Sequence, residues 1–134
     1  MGAEGETKMK KIILVVEDEE SLLNALYDKL IREGFNVAKA KNGEEGLQLC
    51  LTQRQDLTLL DVLMPKMDGM TMLKKIREDK WGKTAKVIML TNLSEVGKIS
   101  EALNEKVTDY LVKSDWHIDD VVKKIRERLE QQPG

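Results

Sequence analysis

Four short apolar runs constrain this chain more than any other feature: 12–16 (IILVV), 57–60 (LTLL), 87–90 (VIML) and 110–112 (YLV). They are β-branched or leucine-rich and do not alternate with polar residues. A strand with one wet face alternates, whereas a strand covered on both faces does not. The runs therefore read as strands of a parallel sheet enclosed by two helical layers. A fifth stretch, 35–41 (FNVAKAK), is partly polar and suits an edge strand.

Helical periodicity fills the gaps between the runs. Leu22, Leu23, Leu26 and Leu30 step by three or four and stop at Gly34, a suitable left-handed C-terminal cap. Asn42 with Glu45 three residues on has the form of a capping box, opening a helix that carries Leu47 and Leu51. Asp68 can cap a helix through Met70, Leu73 and Ile76. Ser94 can cap another with Val96, Ile99 and Leu103, although Gly97 inside it costs about 1 kcal/mol. Ile118, Val122, Ile125 and Leu129 define the last helix, which His117 begins. Strand and helix thus alternate five times, which implies right-handed crossovers and an α/β fold.

Composition agrees. The 134 residues suit one domain, and 41% apolar residues supply a core without disulfides or a structural metal. We expect the domain to occupy 10–131, with disordered tails at 1–9 and 132–134. A net charge of −2 provides no basic field, so neither nucleic acid nor an acidic membrane surface is an expected partner. A lone cysteine, no apolar run near 18 residues and an N-terminus without a signal-peptide pattern point to the cytoplasm.

In an open α/β sheet, ligands bind beyond the carboxyl ends of the strands. There the sequence places Glu17 and Asp18, then Asp61, Thr91 and Lys113. Three carboxylates at close range repel one another unless a cation joins them. Hard oxygen ligands suit Mg²⁺, and without a histidine cluster or cysteine pair zinc is disfavoured. A carboxylate can act as a nucleophile toward phosphorus. A metal, a lysine and a hydroxyl around it would stabilise the transferred group.

The segments LVVEDEE, LTLLDVLMPKMDG, VIMLTN and DYLVKSD closely resemble the response-regulator receiver domain of two-component signalling, the stand-alone chemotaxis-regulator type included. The resemblance runs from Lys11 to about Leu129. Asp18, Asp61, Thr91 and Lys113 follow one another at intervals of 43, 30 and 22 residues. It implies a flavodoxin-like (βα)5 three-layer sandwich with a five-stranded parallel sheet in the order 2-1-3-4-5. Asp61 would be the phosphoacceptor. Mg²⁺ would be ligated by Asp18, Asp61 and the Leu63 backbone carbonyl, with Glu17 acting through water. Thr91 and Lys113 would contact the phosphoryl group, and Thr91 with Tyr110 would form the switch.

The resemblance also implies partners. A histidine kinase or histidine phosphotransfer protein would donate the phosphoryl group, since His117 is the only histidine here. A downstream protein would read the result, by docking on the last strand, the last helix and the helix expected after Ser94. The chain ends with its last helix, so no DNA-binding or enzymatic output domain is expected to follow; the alternative is an excised domain of a longer protein. It would be no enzyme beyond its own phosphorylation and dephosphorylation. The residues two beyond the acceptor and two beyond the threonine, Leu63 and Leu93, flank the path of hydrolytic water in such domains and imply a long-lived phosphoryl group.

Three positions depart from the family pattern. Ser114 stands where Pro usually follows the lysine, Asn92 where a small residue is commoner, and Lys106 where Gly often ends a helix. Two other readings compete. A Mg²⁺-dependent phosphatase with an aspartyl nucleophile would want an acid at position 63, which is Leu. A non-phosphorylated binding module would not need Glu17, Asp18, Asp61, Thr91 and Lys113 together. Met64, Met67, Met70 and Met72 read as turn and core filler, Cys50 as core, Trp81 and Trp116 as half-exposed loop residues. Lys123, Lys124, Arg126 and Arg128 read as the solvated face of the last helix.

Overall fold

The structure, a computed structural model, describes residues 10–92, 107–113 and 117–130. The helix expected from Ser94, Leu93, Lys106, Ser114, Trp116 and both tails lie outside the described residues.

Five parallel strands form one sheet in the order β2-β1-β3-β4-β5. They are β1 Ile12–Val16, β2 Asn36–Ala40, β3 Leu57–Asp61, β4 Val87–Thr91 and β5 Asp109–Val112. The described α-helices are α1 Glu20–Arg32, α2 Gly43–Gln53, α3 Gly69–Glu78 and α4 Ile118–Leu129. A short 3₁₀ turn, Trp81–Thr84, lies between α3 and β4, where the periodicity predicts no element. Asp79 Oδ1 organises it, accepting from the Trp81 and Gly82 N–H groups at 2.9 and 3.3 Å. The architecture is the expected flavodoxin-like three-layer sandwich.

Successive strand residues point to opposite faces, and each face has its own core. Ile13, Val15, Leu57, Leu59, Ile88 and Leu90 pack with α1 and α4. Leu14, Val16, Leu60, Val87 and Met89 pack with α2 and α3. All five residues of β3 and of β4 are buried, which is why those runs never alternate. Edge strand β2 is mostly exposed or half-buried, in keeping with its polar composition.

Helix ends follow their side chains. Gly34, at φ 97°, closes α1: its N–H donates to Ile31 O and that of Phe35 to Leu30 O. Asn42 Oδ1 accepts from Glu45 N–H at 2.9 Å, while Glu45 reaches back one residue further than a capping box, to Lys41 N–H. Asp68 Oδ1 accepts from Thr71 N–H at 2.8 Å. His117 precedes α4, and its N–H donates to Asp120 Oδ2.

Two details differ from the periodicity. The buried face of α2 is Gly43, Gly46 and Cys50, with Leu47 and Leu51 only half-buried. That helix lies so close to the sheet that a Cβ on Gly46 would come within 2.9 Å of Val16 methyl carbons. Nor is the basic side of α4 freely solvated. Lys124 and Arg128 both pair with Asp109 of β5, and Arg126 pairs with Glu33 at the end of α1. Burial pushes Asp109 up most, but the Tyr110 N–H, Arg128 and Lys124 together hold it below the usual carboxylate range. Among the described residues no helix is long and apolar enough to cross a membrane.

Candidate functional site at the carboxyl edge of the sheet

Register places the site. Val16 is level with Leu60, Asp61 with Leu90, and Thr91 with Val112. Glu17, Asp61, Thr91 and Lys113 therefore sit at adjoining strand ends, and none needs a long loop to arrive there. Glu17 is still tied to the sheet, its N–H donating to Ala40 O at 3.0 Å.

The carboxylates differ in exposure. Glu17 is fully buried, Asp61 is 4% exposed, and Asp18 faces solvent. One oxygen of each lies within 4.8 Å of the others. Lys113 Nζ bridges the two buried acids, 3.0 Å from Glu17 Oε1 and 3.2 Å from Asp61 Oδ2. The other Glu17 oxygen accepts from Glu19 N–H at 3.0 Å. Glu17 is thus clamped from both sides, while Asp18 remains open to solvent.

One ammonium does not balance this much negative charge. Burial first, and then the charge of Glu17, push Asp61 up to about 7 against the pull of Lys113. Burial alone would lower the lysine, but the contacts with Glu17 and Asp61 outweigh it and raise Lys113. A divalent cation among the three oxygens would relieve the repulsion that lifts Asp61. The donor set is all oxygen, with one side open to water, which fits a hard ion that keeps part of its hydration shell.

The other predicted residues are placed as follows. Thr91 is buried at the end of β4, but its hydroxyl donates to Asn92 O at 3.0 Å. Tyr110 on edge strand β5 is 43% exposed, so its ring stands outward. Leu63, two residues beyond Asp61, is 45% exposed. The Lys113–Ser114 peptide lies outside the described residues.

Sequence reasoning missed Gly69. A Cβ there would collide with the Asp61 carbonyl oxygen and lie 3.0 Å from its carbon. The bare glycine lets α3 start directly beside β3, with Gly69 N–H donating to Val62 O at 2.8 Å. The Asp68-Gly69 pair signals only a cap in sequence, because the close approach depends on how the helix returns.

A doubly wound sheet that brings a buried aspartate, two flanking acids and a lysine together at its carboxyl edge has the arrangement of a signalling receiver. The chain belongs to the response regulator receiver domain family, which matches residues 13–126. It is 36% identical over 119 residues to the transcriptional regulatory protein DltR of Streptococcus agalactiae, covering 89% of this chain and 52% of that protein. It is 39% identical over 105 residues to the alkaline phosphatase synthesis transcriptional regulatory protein PhoP of Bacillus subtilis, covering 78% and 43%. The chain spans about half the length of the curated relatives it matches. Among solved structures, the CheY-like receiver domain protein of Methanospirillum hungatei superposes with a TM-score of 0.84 at 29% identity, covering 91% of this chain and 95% of that one.

Proposed function

We propose that this receiver domain takes a phosphoryl group onto Asp61 from a partner histidine kinase or histidine phosphotransfer protein, in the cytoplasm, and that a downstream protein reads the modified state. The observation that carries this reading is Lys113 bridging Asp61 and Glu17, with Asp18 within metal-sharing distance of both.

In the transfer, an Asp61 carboxylate oxygen bonds to phosphorus as the phosphorus–nitrogen bond of the donor imidazole breaks, and the imidazole leaves with a proton from solvent. Mg²⁺ held by Asp18, Asp61 and the Leu63 carbonyl, with Glu17 through water, would neutralise charge on the incoming group. Lys113 would swing its ammonium from Asp61 to a phosphoryl oxygen, and Thr91 would turn its hydroxyl from Asn92 O toward another. That rotation, with Tyr110 moving inward, would be the switch. Position 63 offers no acid to protonate a leaving group, so the chain would act on itself and not turn over external phosphoesters.

Two of the curated relatives, DltR and PhoP, are about twice as long as the match and are named as transcriptional regulatory proteins. That favours, as a second reading, a receiver that serves transcription control through an output partner or domain. Incubation with acetyl phosphate and Mg²⁺, followed by intact mass, tests the common core of both. The protein should gain one phosphoryl group, Asp61→Asn should gain none, and Asp18→Ala should need several-fold more Mg²⁺. Undiminished labelling of Asp61→Asn would refute the proposal.

A further inference from the structure

We propose that Gly43, at the first turn of α2, is a positioning residue for the site, although α2 contributes no side chain to it. The inference rests on the reading of Asp61 and its following loop as the metal-binding and phosphorylation site. Segment 62–68 is anchored at both ends. Val62 N–H donates to Leu90 O at 3.0 Å, Gly69 N–H to Val62 O at 2.8 Å, and Asp68 caps α3. Between those anchors, the described backbone bonds include only the local contact from Met67 N–H to Pro65 O at 2.8 Å. Lys66 holds a left-handed φ of 70°, a conformation a lysine keeps only where its surroundings impose it.

What presses on this loop, at Met67 near its C-terminal end, is α2. A Cβ on Gly43 would collide with the Met67 carbonyl oxygen and lie 2.8 Å from the Met67 carbonyl carbon and Cβ. The obstruction is backbone, so no rotamer change relieves it. Gly43 seats α2 against one end of the loop, while Gly69 seats α3 against Asp61 at the other. Two helix N-termini thus hold the loop between them, and with it the Leu63 carbonyl. Asn42, which caps the same turn of α2, keeps that seat rigid.

Gly82 provides a matched control. A Cβ there would meet the Ile76 carbonyl in the same way, 2.8 Å from its carbon, at the far end of α3. Gly43→Ala, Asn42→Ala and Gly82→Ala would be compared by Mg²⁺ calorimetry and by amide hydrogen exchange of 62–68 in metal-free protein. Gly43→Ala should bind Mg²⁺ roughly ten-fold more weakly and exchange faster across 62–68. Gly82→Ala should melt earlier yet stay within about two-fold of wild type in Mg²⁺ affinity, with unchanged exchange in that segment. The proposal is overturned if Gly43→Ala keeps wild-type affinity and exchange, or if Gly82→Ala matches it in both. Should Gly43→Ala fail to fold, Asn42→Ala decides: faster exchange at 62–68 supports the proposal and unchanged exchange overturns it. A wild type that binds Mg²⁺ but accepts no phosphoryl group counts against the proposed function alone, and the exchange comparison still decides the role of Gly43.

Discussion

Asp61 bears most of the site's electrostatic cost and, in the proposed function, its chemistry. Its carboxyl is raised from 3.8 to about 7 in the folded protein without metal, because burial and Glu17 outweigh Lys113. Between those values the folded chain keeps a proton that the unfolded chain gives up. Stability from this group is therefore present at low pH and is lost as pH rises toward about 7. Metal-free protein should melt several degrees lower at about pH 8 than at about pH 5. Asp61→Asn should flatten that slope and raise the melting temperature at the higher pH, and Mg²⁺ should do the same for wild type. Thermal melts with and without chelator check all three. A second expectation concerns Leu63, whose exposed side chain can neither bind nor orient water. Leu63→Asn should shorten the lifetime of the phosphorylated form by about ten-fold, well inside the range for a positioned polar group. Phosphoryl loss at fixed Mg²⁺ measures it, and an unchanged lifetime would remove Leu63 from the water path.

At the scale of elements, the strands are the most legible in the sequence and helix α2 the least. Runs buried on both faces announce a parallel sheet, and the residues at their ends mark a candidate site, so the meeting of Glu17, Asp61 and Lys113 follows from the strand pattern. Close backbone approach leaves no such trace. The buried face of α2 is built from Gly43, Gly46 and Cys50, and small residues carry little hydrophobic signal beside Leu47. The orientation of the Thr91 hydroxyl toward Asn92 O is likewise a rotamer, which spacing does not encode. Helix α2 also ends unusually, with Arg54 in the left-handed region at φ 53° where glycine is the common residue. Replacing it removes the Cβ penalty of that conformation, so Arg54→Gly should stabilise the protein by about 0.5–1 kcal/mol. Denaturant unfolding would show this as a higher midpoint with an unchanged slope.

At the scale of the molecule, two separate cores grip one sheet and leave its carboxyl edge as the place where polar groups gather. Ion pairs hold α4 to its neighbours: Lys29 with Asp119, Arg126 with Glu33, and Asp109 with Lys124 and Arg128. Lys86 adds a tie from the start of β4 to the carbonyls of Arg128 and Leu129 at the end of α4. Such a frame holds Asp61, its neighbouring acids and Lys113 in place. The claim that binds these features together is that the phosphoryl group lands on Asp61. It is tested most directly by reducing the phosphorylated protein with borohydride, which converts an aspartyl phosphate to homoserine, and mapping the peptides. Homoserine at position 61 alone, formed only in the presence of Mg²⁺ and phosphodonor, is the predicted result. Reduction at Asp18 or another carboxylate, or phosphorylated protein with Asp61 unreduced, would contradict it.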